Sequence, residues 1–171
     1  MTGINLDSAN LTGTNISGAV IPHAQFRDAR LAKANLRRAS LFASDLSRVI
    51  LTGADLREAG LNRTNLTDAW FCGGDRPSHH YPGPCPDMTN ASLRDAILTR
   101  AVLVGANLDG VDLRNADLTD ADLSKANFSK TDLSGAILTG AKLDGATLNG
   151  ARGLPPSLLR ERDRQEASSS G

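Results

Sequence analysis

Large apolar residues recur at every fifth position along most of this chain. From Leu6 the steps fall on Leu11, Ile16, Ile21, Phe26, Leu31 and onward to Phe71, and the same register resumes at Leu93 and runs to Leu148. Two residues before each sits a mostly small one, as in Ala9, Ala24, Ala34 and Ala54, and again from Ala91 to Ala146. Across 26 such pentads the central residue is leucine 21 times and the small one alanine 19 times, which excludes chance.

Neither common secondary structure can use this period. On an α-helix five residues advance roughly 500°, so the leucines would spiral around the cylinder instead of forming one buried stripe. On a flat strand they would alternate between faces, because side chains there have a period of two. A coil that turns about a quarter circle per pentad satisfies the pattern, with the small and central residues pointing inward and the other three outward. Four pentads then close a square turn, and successive turns stack at about 4.8 Å, the spacing of hydrogen-bonded strands.

Segments such as "ANLRRASLFASDLS" and "ADLTDADLSKANF" resemble the pentapeptide-repeat family, whose consensus is A(D/N)Lxx. The resemblance implies an all-β solenoid, a right-handed quadrilateral parallel β-helix, here of about seven coils with a short C-terminal capping α-helix and one internal loop. It covers roughly residues 4 to 151 apart from one interruption. Asn or Asp before the central residue also fits, as in Asn5, Asn10, Asn35, Asp45, Asp55, Asn107 and Asp117. Short polar side chains there can bond the local backbone at corners, which accounts for most of the aspartates without any catalytic role.

The chain accordingly divides into a first repeat block (1–71), an interrupting loop (72–87), a second block (88–151) and a C-terminal segment (152–171). A solenoid needs covered ends, since a terminal coil exposes its leucines and backbone edge. The stretch "GLPPSLLRERDRQEA" supplies helix-start prolines, a cluster of Leu154, Leu158 and Leu159, and Arg162 and Glu166 at i,i+4. It predicts a capping helix over about 156–166. At the amino end the first coil is left exposed or covered by a partner chain.

Charge narrows the function classes. The chain carries 19 basic and 19 acidic side chains, so net charge gives no case for direct binding of nucleic acid or an anionic membrane. With no signal-peptide pattern and no long apolar run, the expected location is the cytoplasm. No phosphate-binding glycine loop, HExxH or GxSxG is present, and a filled solenoid offers flat sides rather than a concave pocket, so the expectation is a non-enzyme without cofactors. The resemblance adds an alternative, because its best characterised branch mimics DNA and binds type II topoisomerases, protecting gyrase from quinolones or toxins. The charge map argues partly against that. Arg27, Arg30, Lys33, Arg37 and Arg38 read as a basic column, opposite in sign to a phosphate mimic, while Asp109, Asp112, Asp117, Asp120 and Asp122 give the second half an acidic band. The leading expectation is a scaffold for an unidentified protein partner, with gyrase as the alternative, acting as a monomer or homodimer. Phe42 and Trp70 fall in outward slots, where the fold does not require a large apolar residue, and are candidates for an exposed contact surface.

The interruption "WFCGGDRPSHHYPGPCPDM" holds the remaining candidate chemistry. Cys72, His79, His80 and Cys85 are metal-ligand types, but C-x6-H-H-x4-C lacks the short chelating CxxC, and the segment is not read as a metal site. Cys72 and Cys85 are either a disulfide or two free thiols at the feet of a loop; reducing cytoplasm favours thiols, proximity permits a bridge. Arg76, His79, His80 and Tyr81 are candidate recognition residues. From Phe71 to Met88 the register advances seventeen residues, which is either one step of five with a twelve-residue excursion or three steps with two extra residues. The glycines and prolines, and the lack of small and large residues in register, favour the excursion.

Overall fold

The computed structural model describes residues 3–72, 75–76, 79–80 and 83–169. Each side of the coil pairs with the next through a single parallel bridge, and bridging partners are twenty residues apart: Asn5 with Gln25, Gln25 with Asp45, Asn10 with Arg30. Four pentads therefore complete one turn. The chain forms a solenoid whose sides are one-residue bridges separated by turns rather than extended strands, because a corner every five residues leaves room for only one bridge per side.

The pentad Leu31 to Asn35 shows the bonding. Leu31 and Lys33 donate their N–H groups forward to Ile50 O (2.8 Å) and Thr52 O (2.9 Å), Asn35 donates back to Thr14 O (2.8 Å), and Ala34 closes the corner on Leu31 O at 3.0 Å. The residue two after the central one is left-handed, with φ 58° at Lys33 and at Arg38. The Asx residue before each leucine accepts the N–H two positions on, as Asn35 does from Arg37 (3.1 Å) and Asp45 from Ser47 (3.0 Å). The repeated Asn and Asp thus cap corners in the way their short side chains allow. Inside, Phe26, Leu31, Leu36, Leu41 and their successors to Leu133 are buried with the alanines between them, while Ala136, Leu138, Ala141 and Leu143 in the last coil are only partly buried.

Two departures from the repeat compensate locally. Val20 stands where an Asx residue would accept the N–H of residue 22, but residue 22 is proline and has none to give. At the same corner, Ser44 Oγ accepts the Ala24 N–H (3.0 Å) and donates to Ile21 O (3.2 Å). That hydroxyl is only 2% exposed and bridges the groups that other corners join directly.

At the interruption the bridge separation changes to 32, as in Asp55 with Asp87 and Trp70 with Val102, and later returns to twenty. Twelve residues thus stand outside the coil count. Within them β1 (Asp75–Arg76) pairs antiparallel with β2 (His79–His80). The coil resumes at Pro84, whose carbonyl accepts the Gly53 N–H at 2.7 Å.

The last coil leads through Gly153, with φ 70°, where an added Cβ would lie 2.2 Å from Ser134 N, into α1 (Pro156–Ser169). The helix starts where the prolines place it and ends three residues beyond the expected 166, with Ala167 continuing it. Leu158 and Leu159 pack against the core, and Gln165 accepts the Leu148 N–H and donates to Ala146 O, both at 2.9 Å. Arg162 pairs with its neighbour Asp163 at 2.6 Å, whereas the side chain of Glu166, its expected partner, lies outside the described residues. At the other end Leu6, Leu11, Ile16 and Ile21 are only partly buried.

Candidate interaction surface

The four sides of the solenoid carry stacked columns of outward residues. The column Asp28, Arg48, Asp68, Arg100, Asp120 alternates in sign, and within it Arg48 meets Asp28 at 2.5 Å and Arg100 meets Asp68 at 2.8 Å. The residues read as a basic column, Arg27, Arg30, Lys33, Arg37 and Arg38, instead belong to one coil and lie on three successive sides. The reason is that a turn takes twenty residues, so neighbours in sequence spread around the girth. Arg27 reaches Asp7 at 3.2 Å, and Arg37 and Arg38 share Glu58 at 3.0 and 2.8 Å. In the acidic coil Asp112 bonds Arg114 at 2.6 Å and Asp122 lies 3.7 Å from Lys142. These pairs hold the carboxyls of Asp28, Glu58 and Asp112 below their ordinary range, chiefly through hydrogen bonds from Arg48, Arg38 and Arg114 respectively. Asp117 is lowered mainly by the Thr119 hydroxyl. Pairing of this kind neutralises several of the charges in both the basic and the acidic coil.

Phe42 is 37% exposed and lies on the side that carries Val20, 76% exposed. Its ring meets His23 edge-on, with centroids 5.9 Å apart, and the Arg63 guanidinium stands 5.7 Å from its centroid. The ring thus has an aromatic edge and a cation as neighbours. Arg63 and Arg94 reach Asp95 only at 3.9 and 3.8 Å, with side chains 66% and 50% exposed. Sequence reasoning found Phe42 through its outward slot but missed Arg63, a coil away; the twenty-residue return, applied from residue 42 to the corner after it, would have found it.

Trp70 corrects the expected exposed surface. It is 9% exposed, because Ile50 and Val102, bridged to it on either side at 7% and 4% exposure, cover it within the stack. Cys72 and Cys85 are joined as a disulfide with Cα atoms 4.2 Å apart. Sulfurs bonded to each other are not available as thiolate ligands, and the described residues hold no cluster of three or more metal-ligating side chains. Tyr81, and the side chains of Arg76, His79 and His80, lie outside the described residues. Among the described residues no helix is long and apolar enough to cross a membrane.

The stacked twenty-residue coils and inward leucines define the class, a β-helix solenoid repeat protein. The chain belongs to the pentapeptide repeat family: the family model matches eight copies within residues 23–57, 39–75, 87–115 and 116–152. No curated protein matches it by sequence. Among solved structures, two trypsin-treated variants of QnrB1, a plasmid-mediated fluoroquinolone resistance protein, superpose with TM-scores of 0.54 and 0.57. Both are 18% identical, over 92% of this chain and 84% of theirs, a likeness of fold alone. The pentapeptide repeat protein Rfr23 of the cyanobacterium Cyanothece 51142 is 26% identical over 84% of this chain and 90% of its own, with a TM-score of 0.44.

Proposed function

We propose that this chain is a non-catalytic scaffold, a right-handed square β-helix of about seven coils capped by α1, which binds a protein partner through the patch around Phe42. The carrying observation is that Phe42 is exposed in an outward slot yet held between His23 and Arg63. An aromatic ring already in contact with its neighbours has less freedom to lose on binding, and such rings commonly dominate interface energies. The basic side chains beside it select an occupant with an apolar anchor next to carboxylates, since among the described residues the carboxylate that Arg63 and Arg94 approach is Asp95, at the long distances of 3.9 and 3.8 Å.

A fluorescent peptide rich in Glu and Asp with a central leucine serves as the probe, titrated against the full chain. Phe42→Ala weakens its binding by about tenfold or more, the scale of a truncated hot spot, and Arg63→Ala weakens it with a reduced salt dependence. Equal binding by wild type and Phe42→Ala, or equal binding of a basic peptide, would overturn the proposal.

The second reading is a DNA mimic that engages gyrase, supported by the fold likeness to QnrB1 and the acidic coil from Asp109 to Asp122. The alternating column and the basic coil weigh against it. A gyrase supercoiling assay with and without quinolone separates the two, and no effect at micromolar protein removes the mimic.

A further inference from the structure

The disulfide sits at an unusual place in the count. At a regular corner the residue after the central one accepts an N–H from the coil before; here Pro84 does so for Gly53, and the bridge joins Cys72, which follows Phe71 in sequence, to Cys85, which follows Pro84 in the coil. Their Cα atoms are 4.2 Å apart, close to the roughly 3.8 Å spanned by a peptide bond. The bridge thus ties together the two feet of the twelve-residue excursion.

The coil around it carries backbone hydrogen bonds of its own, although the parallel bridge that the register would place between Asp87 and Asn107 is missing among the described residues. Leu51 donates to Trp70 O (2.8 Å), Gly53 to Pro84 O (2.7 Å), Leu56 to Asp87 O (2.7 Å) and Phe71 to Val102 O (3.1 Å), and Asp87 donates to Ala54 O (3.1 Å). None of these depends on the sulfurs. Cys72 is 1% exposed, whereas Cys85 is half-buried, so Cys85 is the sulfur an incoming thiolate can reach.

We propose that Cys72–Cys85 is a thiol-responsive clasp: its reduction frees the β1/β2 hairpin while the solenoid keeps its register. A thiolate of a dithiol reductant attacks Cys85 Sγ, the S–S bond breaks and Cys72 leaves as a thiolate that takes up a proton. The second thiol of the reductant then closes its own disulfide and releases Cys85, so two electrons and two protons pass to the protein. The solenoid tolerates this because the bridge closes the excursion and not the coil.

Amide hydrogen exchange on the full chain tests the clasp, in oxidised form, in dithiothreitol, and as Cys72→Ser/Cys85→Ser. The account expects the amides of Arg76, His79 and His80 to exchange about tenfold faster or more in both open forms, while those of Leu51, Leu56 and Phe71 keep their protection. Acceleration of the coil amides together with the hairpin would mean that the disulfide holds the coil. Unchanged hairpin exchange in dithiothreitol, with reduction verified by mass, would mean that the hairpin stands without it. Either result overturns the proposal.

Discussion

Ser44→Ala replaces an exception with the residue that the same slot carries 19 times in 26 pentads, and a consensus rule would call it neutral or stabilising. The structure predicts the opposite. Ser44 Oγ accepts the Ala24 N–H at 3.0 Å and donates to Ile21 O at 3.2 Å, with Ala24 1% and Ser44 2% exposed. Alanine would leave a buried donor without its partner, which costs about 1–3 kcal/mol. Urea unfolding followed by circular dichroism measures it, comparing midpoints at equal slope. Ala34→Ser is the control: at an ordinary corner the Thr64 hydroxyl donates to Leu61 O at 2.6 Å while its own N–H closes on the same carbonyl, so a hydroxyl at residue 34 finds Leu31 O and shifts the midpoint little. A loss confined to Ser44→Ala supports the reasoning, since the serine is then required in one corner and merely accommodated in the other. A Ser44→Ala protein as stable as wild type would refute it, because the corner would then close directly on Ile21 O as its neighbours do.

Two further outcomes follow from the corners and the ion pairs. Ala43 holds φ 53° without a glycine's freedom, so Ala43→Gly is expected to raise stability by about 0.5–1 kcal/mol in the same unfolding assay, whereas Ala43→Val lowers it. Asp28, Asp55, Glu58 and Asp112 have lowered native pKa values, so the unfolded chain takes up protons first as pH falls. Their contribution is therefore complete above the ordinary carboxylate range and lost as pH drops below about 4 through the native values; a urea midpoint that rises on acidification to about pH 3 would contradict this. The pairs are solvent-exposed, so the decline is shallow.

The inward leucines, the small residues beside them and the Asx caps were legible because each is a local rule repeated in every pentad. Properties that depend on the twenty-residue return were harder to see. Arg27 to Arg38 look like a stripe when written along a line, but the coil spreads them over three sides and gives several of them carboxylates from adjacent coils. Trp70 falls in an outward slot, yet Ile50 and Val102, twenty and thirty-two residues away, stack on it and remove it from solvent. Ser44 looked like an ordinary small-slot variant, and only the bond geometry at Pro22 and Ala24 gives it a task. Phe42 was visible as a residue the fold does not require, while its pairing with Arg63 depends on the stacking of successive coils.

The central claim is that this solenoid turns every twenty residues and carries a twelve-residue segment set into one corner. Deleting residues 72–83 joins Phe71 directly to Pro84, the residue at which the coil resumes on the Gly53 N–H. The account predicts a folded protein whose amide protection at Leu56, Leu61 and Phe71 matches that of the full chain, with every later bridge at a separation of twenty. Loss of protection across those coils would contradict it, showing that the segment is part of the coil and not a guest within it.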